Sequence, residues 1–169
     1  MNHFLNFKIM NTSYIYPGAY TLNAYVTIKN CNQAIDFYKK AFGAIEKERL
    51  LTPDGLIAHA SLEIEGSLLM MSDENAMMGN KSPDSLGGNP MAFSLYVRDV
   101  DKVFKTALDA GGKVVMPVDD QFYGDRSGTL DDPFGYRWMI GTHVRDVSTD
   151  EMQKRFNEMV EAQHSAQHN

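Results

Sequence analysis

The sequence predicts an α+β fold: two tandem βαβββ modules whose strands form a curved mixed sheet around a pocket, followed by one C-terminal helix. Three observations carry this. The chain repeats itself, each copy reads as a strand followed by a helix that ends at glycine, and three strand-like segments bounded by turn residues follow each helix.

The repeat appears when Val26-Thr27-Ile28-Lys29-Asn30 is laid over Leu95-Tyr96-Val97-Arg98-Asp99. The register then holds Ala34-Ile35 over Val103-Phe104, Ala41 over Ala110 and Gly43 over Gly112. In the first copy Leu22, Ala24, Val26 and Ile28 alternate with Thr21, Asn23, Tyr25 and Thr27, the period of a two-faced strand. Ala34, Ile35, Tyr38, Ala41 and Phe42 follow at helical spacing, with Asn30 or Asn32 as the cap and Gly43 at the left-handed end position. In the second copy Asp99 caps a stripe of Val100, Val103, Phe104, Ala107 and Leu108, and Gly111-Gly112 ends it.

The later strands of the first copy are read at about 44–51, 56–65 and 67–73, with Pro53-Asp54-Gly55 and Gly66 turning the chain. Those of the second are read at about 113–122, 128–131 and 136–142, with Asp132-Pro133-Phe134-Gly135 as the turn between the last two. This gives an N-terminal arm at 1–17 and a single domain at 18–147. The domain divides into a first module at about 18–74, a linker at 75–90 and a second module at about 91–147. The linker is rich in Gly, Pro, Asn and Ser; its Met77-Met78 pair is read as a loop packed on its own domain, or else as a flexible apolar lid. Ser148-Thr149-Asp150-Glu151 is a capping box opening a helix at 148–163, with Met152, Phe156, Met159 and Val160 as its apolar stripe. Residues 164–169 are expected to fray, and His164 and His168 receive no role.

Composition narrows the function classes. The 169 residues suit one well-buried core. The net charge of −6 is interspersed and forms no basic stripe, which argues against nucleic acid. No apolar run approaches the ~20 residues of a membrane span, and the N-terminal stretch is a poor signal peptide. The single cysteine, Cys31, cannot staple a secreted fold, so a cytoplasmic protein is expected. Cys31 is read as a small residue at a helix start.

Strand alternation then picks out one face. Ala58, Ala60, Leu62 and Ile64 are assigned to the helix side, which leaves His59, Ser61, Glu63 and Glu65 opposite. In the second copy Phe93, Leu95 and Val97 take the helix side, opposite Ser94 and Tyr96. Hydroxyls, amides, a histidine and carboxylates mixed with tyrosines resemble the lining of a small-molecule site more than a solvated face. His59 is the leading catalytic candidate. It is read as a general base, as a neutral hydrogen-bonding group that orients a ligand, or as a structural histidine tied to a neighbouring strand. Asn23, Tyr25, Glu63, Ser94, Tyr96, Asp125, Arg126, Trp138 and His143 are candidate ligand-binding residues. Glu63 lies two strand-steps from His59, ~13 Å by strand rise, too far to share a metal directly. Arg126 is read as a clamp on a ligand carboxylate or phosphonate, or, with more weight, as half of an internal Asp–Arg pair that fixes its loop. Phe122, Tyr123 and Trp138 are read as aromatic walls or as core.

The tandem modules resemble the vicinal-oxygen-chelate superfamily, which includes glyoxalase I, fosfomycin-resistance enzymes, extradiol dioxygenases and bleomycin-resistance proteins. The resemblance spans about residues 20–155. It is carried by Asn32 through Gly43, His59-Ala60, Gly66 through Asp73, Gly124-Asp125-Arg126, Asp132 through Gly135 with Trp138, and Thr142-His143. It points to the glyoxalase/bleomycin-resistance-like branch, formerly labelled demethylubiquinone methyltransferase-like, and implies the glyoxalase/bleomycin-resistance/dihydroxybiphenyl dioxygenase fold. One scaffold hosts many chemistries, so the resemblance does not choose a reaction.

The superfamily's metal enzymes carry His, Gln or Glu on the first and last strands of each module. Here those places offer Asn23 or Tyr25, Ser94, the run Leu69-Met70-Met71, and Met139 where Glu is usual. The usual ligands are therefore absent, and any cofactor and its metal ligands are left unknown. The leading expectation is a small-molecule-binding protein without the usual metal centre, holding a planar or cationic ligand between aromatic walls. The alternative is a glyoxalase-like lyase, isomerase or dioxygenase that uses His59, with or without a divalent metal; whether the chain is an enzyme stays open. A homodimer is implied by the resemblance, often with each pocket built from modules of both chains.

Overall fold

The computed structural model describes residues 14–167, so most of the expected N-terminal arm, together with His168, lies outside the described residues. The first module contains β1 (Ala24–Thr27), α1 (Cys31–Phe42), β2 (Ile45–Leu51), β3 (Ile57–Ile64) and β4 (Ser67–Ser72). The second contains β5 (Ala92–Tyr96), α3 (Val100–Asp109), β6 (Lys113–Asp120), β7 (Asp125–Asp131) and β8 (Arg137–His143). A short α2 (Pro83–Leu86) lies between them, and α4 (Thr149–Gln167) closes the described chain.

Hydrogen bonding divides the strands into two four-stranded sheets, ordered β1-β4-β3-β2 and β5-β8-β7-β6. Each has one parallel pair, β1 with β4 and β5 with β8, and is otherwise antiparallel. The two-module α+β architecture is thus present with the same strand order in both halves.

The helix ends follow their local chemistry. Gly43 adopts the left-handed conformation after α1; its N–H donates to the Lys39 carbonyl and the Ala44 N–H to the Tyr38 carbonyl. The Asp99 side chain accepts from Lys102 N–H to cap α3, and the Ser148 hydroxyl accepts from Glu151 N–H at the start of α4. The start of α1 differs from expectation. Asn30 sits there with φ 63° and its side chain caps nothing. The Cys31 N–H is instead met at 2.8 Å by the Asp73 carboxylate from the end of β4. Burial pushes the Cys31 thiol up to about 12, in keeping with an inert packed residue.

The helix-facing side chains of both modules merge into one core. α1 packs on α3, and Trp138 from β8 lies 4.5 Å from Phe42 and 4.6 Å from Phe93 between ring centroids. The junction is tied by buried Asp132. Its carboxylate accepts from Tyr38 Oη at 2.7 Å, Trp138 Nε1 at 3.0 Å, and the backbone N–H groups of Phe134 and Tyr136. Burial raises the Tyr38 hydroxyl pKa, so it stays a donor. Tyr136 Oη crosses the same junction to the Thr27 carbonyl at 2.9 Å.

The linker is more ordered than its composition predicts. The Asn75 carboxamide accepts from Met77 and Met78 N–H to close a 3-10 turn, and Ser82 caps α2. Met77 and Met78 are nevertheless 99% and 74% exposed, so they do not pack on the domain.

Candidate functional site

Both sheets leave one face free of helices, and each free face carries a histidine bonded to a carboxylate. On the first module one rung runs Tyr25, Met70, Ser61, Glu48 across the four strands. His59 lies two residues before Ser61 on β3 and is partly buried. Its Nε2 lies 3.1 Å from Glu48 Oε1, and its Nδ1 lies 3.5 Å from the Tyr25 hydroxyl. A carboxylate can only accept, so Nε2 carries the hydrogen; in the neutral ring Nδ1 is then the acceptor, turned towards Tyr25. Tyr16 donates to the other Glu48 oxygen at 2.9 Å, and this bond raises the tyrosine's own pKa.

A cleft of about 420 Å³ stands over this arrangement. Tyr14, Tyr16 and Tyr20 line it together with Glu48, His59 and Met70.

On the second module Asp125 is buried at the start of β7. It accepts from Tyr96 Oη at 2.6 Å and from His143 Nδ1 at 2.7 Å. His143 Nε2 meets Asp146 at 3.0 Å. Both ring nitrogens face carboxylates, which raises the His143 pKa, chiefly through the Asp125 bond and then through Asp146. The bond to Asp125 likewise raises the Tyr96 pKa.

The comparisons with known proteins bear on this arrangement. The model of the Glyoxalase/Bleomycin resistance protein/Dioxygenase superfamily matches residues 20–140, which run from before β1 into β8. The chain belongs to this superfamily. An uncharacterized protein of Mycobacterium tuberculosis is 46% identical over 135 residues, covering 78% of this chain and 79% of that one. Among solved structures, TioX from Micromonospora sp. ML1 aligns with TM-score 0.55 and 25% identity over 73% of this chain and 99% of its own. The fosfomycin resistance protein FosX from Listeria monocytogenes shares the fold at TM-score 0.55, with 14% identity over 80% of this chain and 95% of its own.

The metal positions of the superfamily can be tested against the side chains here. Ser94 and Met139 are register partners on β5 and β8, and Met70 is the partner of Tyr25 on β4. A hydroxyl and two thioethers do not fit a hard divalent cation, which takes oxygen or imidazole donors. Among the described residues no three His, Cys, Asp or Glu side chains are grouped as a metal would need.

Tyr25 and His59 come together at the cleft, while Tyr96, Asp125 and His143 come together on the other module. Asn23 lines the cleft, but its carboxamide is spent on the Tyr20 backbone. Glu63 pairs with Lys47 at 2.9 Å rather than with His59. Ser94 is exposed on the free face of β5.

Strand parity places two further candidates on the helix side of the second sheet. Trp138 is in step with Ile140 on β8, so it is buried in the junction and its indole N–H is taken by Asp132. Arg126 is in step with Gly128 and Leu130 on β7 and pairs with Asp101 and Asp120, an internal Asp–Arg pairing of the kind favoured from the sequence, with partners other than Asp125. Ala58 also departs from its assignment. The pairing slips between Leu50–His59 and Leu51–Ile57, so Ile57 is buried and Ala58 is exposed.

Two participants escaped sequence reasoning, Glu48 and Ser72, while Ser61 lies on the face that alternation assigns to it. Glu48 and Glu46 are two residues apart, yet Glu46 bonds Lys39 and Arg49 while Glu48 bonds His59. The register slip between them turns the strand, so alternation alone misassigns one of the two. Ser61 and Ser72 lie on the free face of the first module with buried hydroxyls that have no partner among the described residues.

Proposed function

We propose that the protein binds a planar, cationic small molecule in the first-module cleft. The observation that carries this is Glu48, partly buried in a cleft lined by tyrosines and already acting as acceptor for two neutral or ionisable donors. A cation over an aromatic face gains about 0.5–2 kcal/mol, and a carboxylate at the end of such a slot adds a charge-assisted hydrogen bond. The missing hard-metal donor set supports binding over a metal-centred reaction of the superfamily's usual kind.

Calorimetric titration with proflavine, a planar cation, and with neutral anthracene-9-methanol tests the reading. Saturable proflavine binding at one site per chain, weakened about tenfold by Glu48→Gln, is expected. Equal affinity for both probes, or no saturable binding, overturns it.

A second reading is catalytic. With Nε2 held by Glu48, His59 Nδ1 is an acceptor suited to general-base chemistry of an isomerase or lyase. An activity found by substrate screening and lost in His59→Ala but not in the fold would favour it; unchanged activity in His59→Ala removes it.

The protein is also proposed to form a homodimer, as superfamily members often do. Leu22, Val114, Met116 and Met139 are exposed apolar side chains that such an assembly would cover. Light scattering at micromolar concentration is expected to return twice the chain mass; a monomer mass rejects the dimer.

A further inference from the structure

Beside the tyrosine-walled cleft lies a second groove of about 530 Å³, bounded by the β2–β3 turn, the end of β4 and the 3-10 turn at Ala76–Met78. Tyr25 lines this groove, and its ring lies 5.7 Å from that of His59, which lines the cleft.

The polar groups of this groove are almost all engaged within the protein. Both Asp73 oxygens accept backbone N–H groups, from Cys31 at 2.8 Å and Ile57 at 2.7 Å. Glu74 accepts from the Ser82 N–H and hydroxyl, both at 2.7 Å, and hydrogen bonding from the Ser85 side chain first and then from Ser82 holds its pKa down to about 2. Asn75 is spent on the 3-10 turn. The exception is Ser72: it lines the groove, is 4% exposed, and its hydroxyl has no partner among the described residues. A buried hydroxyl without a partner costs free energy that a bound hydrogen-bonding group would recover.

The apolar side of the groove is presented deliberately by the backbone. Tyr25, Leu56, Met77 and Met78 contribute it, and all four are exposed. The methionines sit on a turn closed by the Asn75 carboxamide and the Asn75–Asn80 bridge, so their exposure does not come from a loose loop. Methionine side chains are flexible and polarizable and adapt to apolar ligands of varied shape.

The geometry points to a second subsite: the Ser72 groove takes a neutral, mainly apolar small molecule, or the apolar arm of a larger one, that carries one hydrogen-bonding group for the Ser72 hydroxyl. This shares with the cation reading only the premise that this face of the first module meets ligands. The charge chemistry of the two spaces differs, with an ionisable Glu48–His59 pair lining the first and the Ser72 hydroxyl in the second.

Fluorescence titration with N-phenyl-1-naphthylamine, a neutral apolar probe with one N–H, tests the subsite in the full chain. Saturable binding is expected, weakened about five- to tenfold by Ser72→Ala and more strongly by Met78→Glu, which puts a charge on an exposed wall residue without touching the core. Glu48→Gln is expected to leave it within twofold. Proflavine binding measured on the same variants separates the two readings, because it should follow Glu48→Gln and ignore Met78→Glu. No saturable probe binding, or binding indifferent to both Ser72→Ala and Met78→Glu, overturns the subsite whatever proflavine does.

Discussion

Tyr38 on α1 donates its hydroxyl to Asp132 in the turn before β8 at 2.7 Å, across 94 residues of sequence and from one module to the other. Both groups are buried, and Asp132 gathers three further donors around it. The modules are therefore joined by a satisfied polar centre inside an aromatic core.

Removing the donor alone should be moderate. Tyr38→Phe is expected to lower stability by about 1–3 kcal/mol, because a buried carboxylate loses one of its partners. Asp132→Ala should cost clearly more, since it strands the Trp138 indole, the Tyr38 hydroxyl and two backbone N–H groups at once. Urea denaturation of the two variants checks the order. Equal stability of Asp132→Ala and the parent would show that the centre holds nothing together.

Gly124, at the turn into β7, has φ +101°, and a Cβ there would stand 2.1 Å from the Arg145 carbonyl oxygen. Its own carbonyl accepts from Val144 and Arg145 N–H, binding the segment that follows His143. Gly124→Ala should therefore destabilise by at least about 1–3 kcal/mol from backbone strain, with further cost from displacing this segment. The readout is a thermal melt together with the His143 ring resonances, which should shift.

His143 gives a pH signature. Asp125 and then Asp146 raise its folded pKa above the ordinary histidine value. Its stabilising contribution is thus complete below the unfolded pKa, about 6.5, and fades as pH rises through the higher folded value. Proton NMR should show His143 titrating above the ordinary range, with Asp125→Asn bringing it down. A midpoint unmoved by Asp125→Asn would contradict the assignment.

Glu46 gives the opposite sign. Its bonds to Arg49 and then Lys39 hold its pKa down to about 2. The stability it supplies is present above the unfolded carboxyl pKa and is lost as pH falls through about 2. Glu46→Gln should flatten this part of the acid unfolding curve while leaving the neutral-pH histidine titrations untouched.

Ser61 tests the buried hydroxyls without any ligand. It is 1% exposed and has no partner among the described residues, so Ser61→Ala should be neutral or stabilising by up to about 1 kcal/mol. Ser82→Ala, by contrast, removes a hydroxyl bonded to Glu74 and Ser85 and should destabilise. Calorimetric melting of the pair distinguishes the two environments.

Much of the fold was legible because its signals are local. Period-2 alternation in residues 24–28, the glycine after Phe42, the cap at Asp99 and the cap at Ser148 each act within a few residues of themselves. Leu22, read into the same stripe, lies outside β1 and is exposed. The same parity argument, applied to Trp138 with Ile140 and to Arg126 with Leu130, would have assigned those two to the helix side as well. The site was less legible where local rules break. A register slip between Glu46 and Glu48 sends near neighbours to opposite sides of the sheet. Asp132 reads as an ordinary turn residue until Tyr38 and Trp138 fold over it, and the Ser72 hydroxyl acquires its character only from what fails to meet it.

The core shared by α1 and α3 also has a bearing on synthesis. The contacts that cover Tyr38 and Phe42 come from Phe134 and Trp138, close to the end of the second module. During translation the first module therefore emerges with one flank of its helix greasy and uncovered until about a hundred further residues have been made. Native pairing at such separation slows folding and lengthens exposure to aggregation. The nascent first half is therefore the stage at which apolar surface of this core stands most open to aggregation.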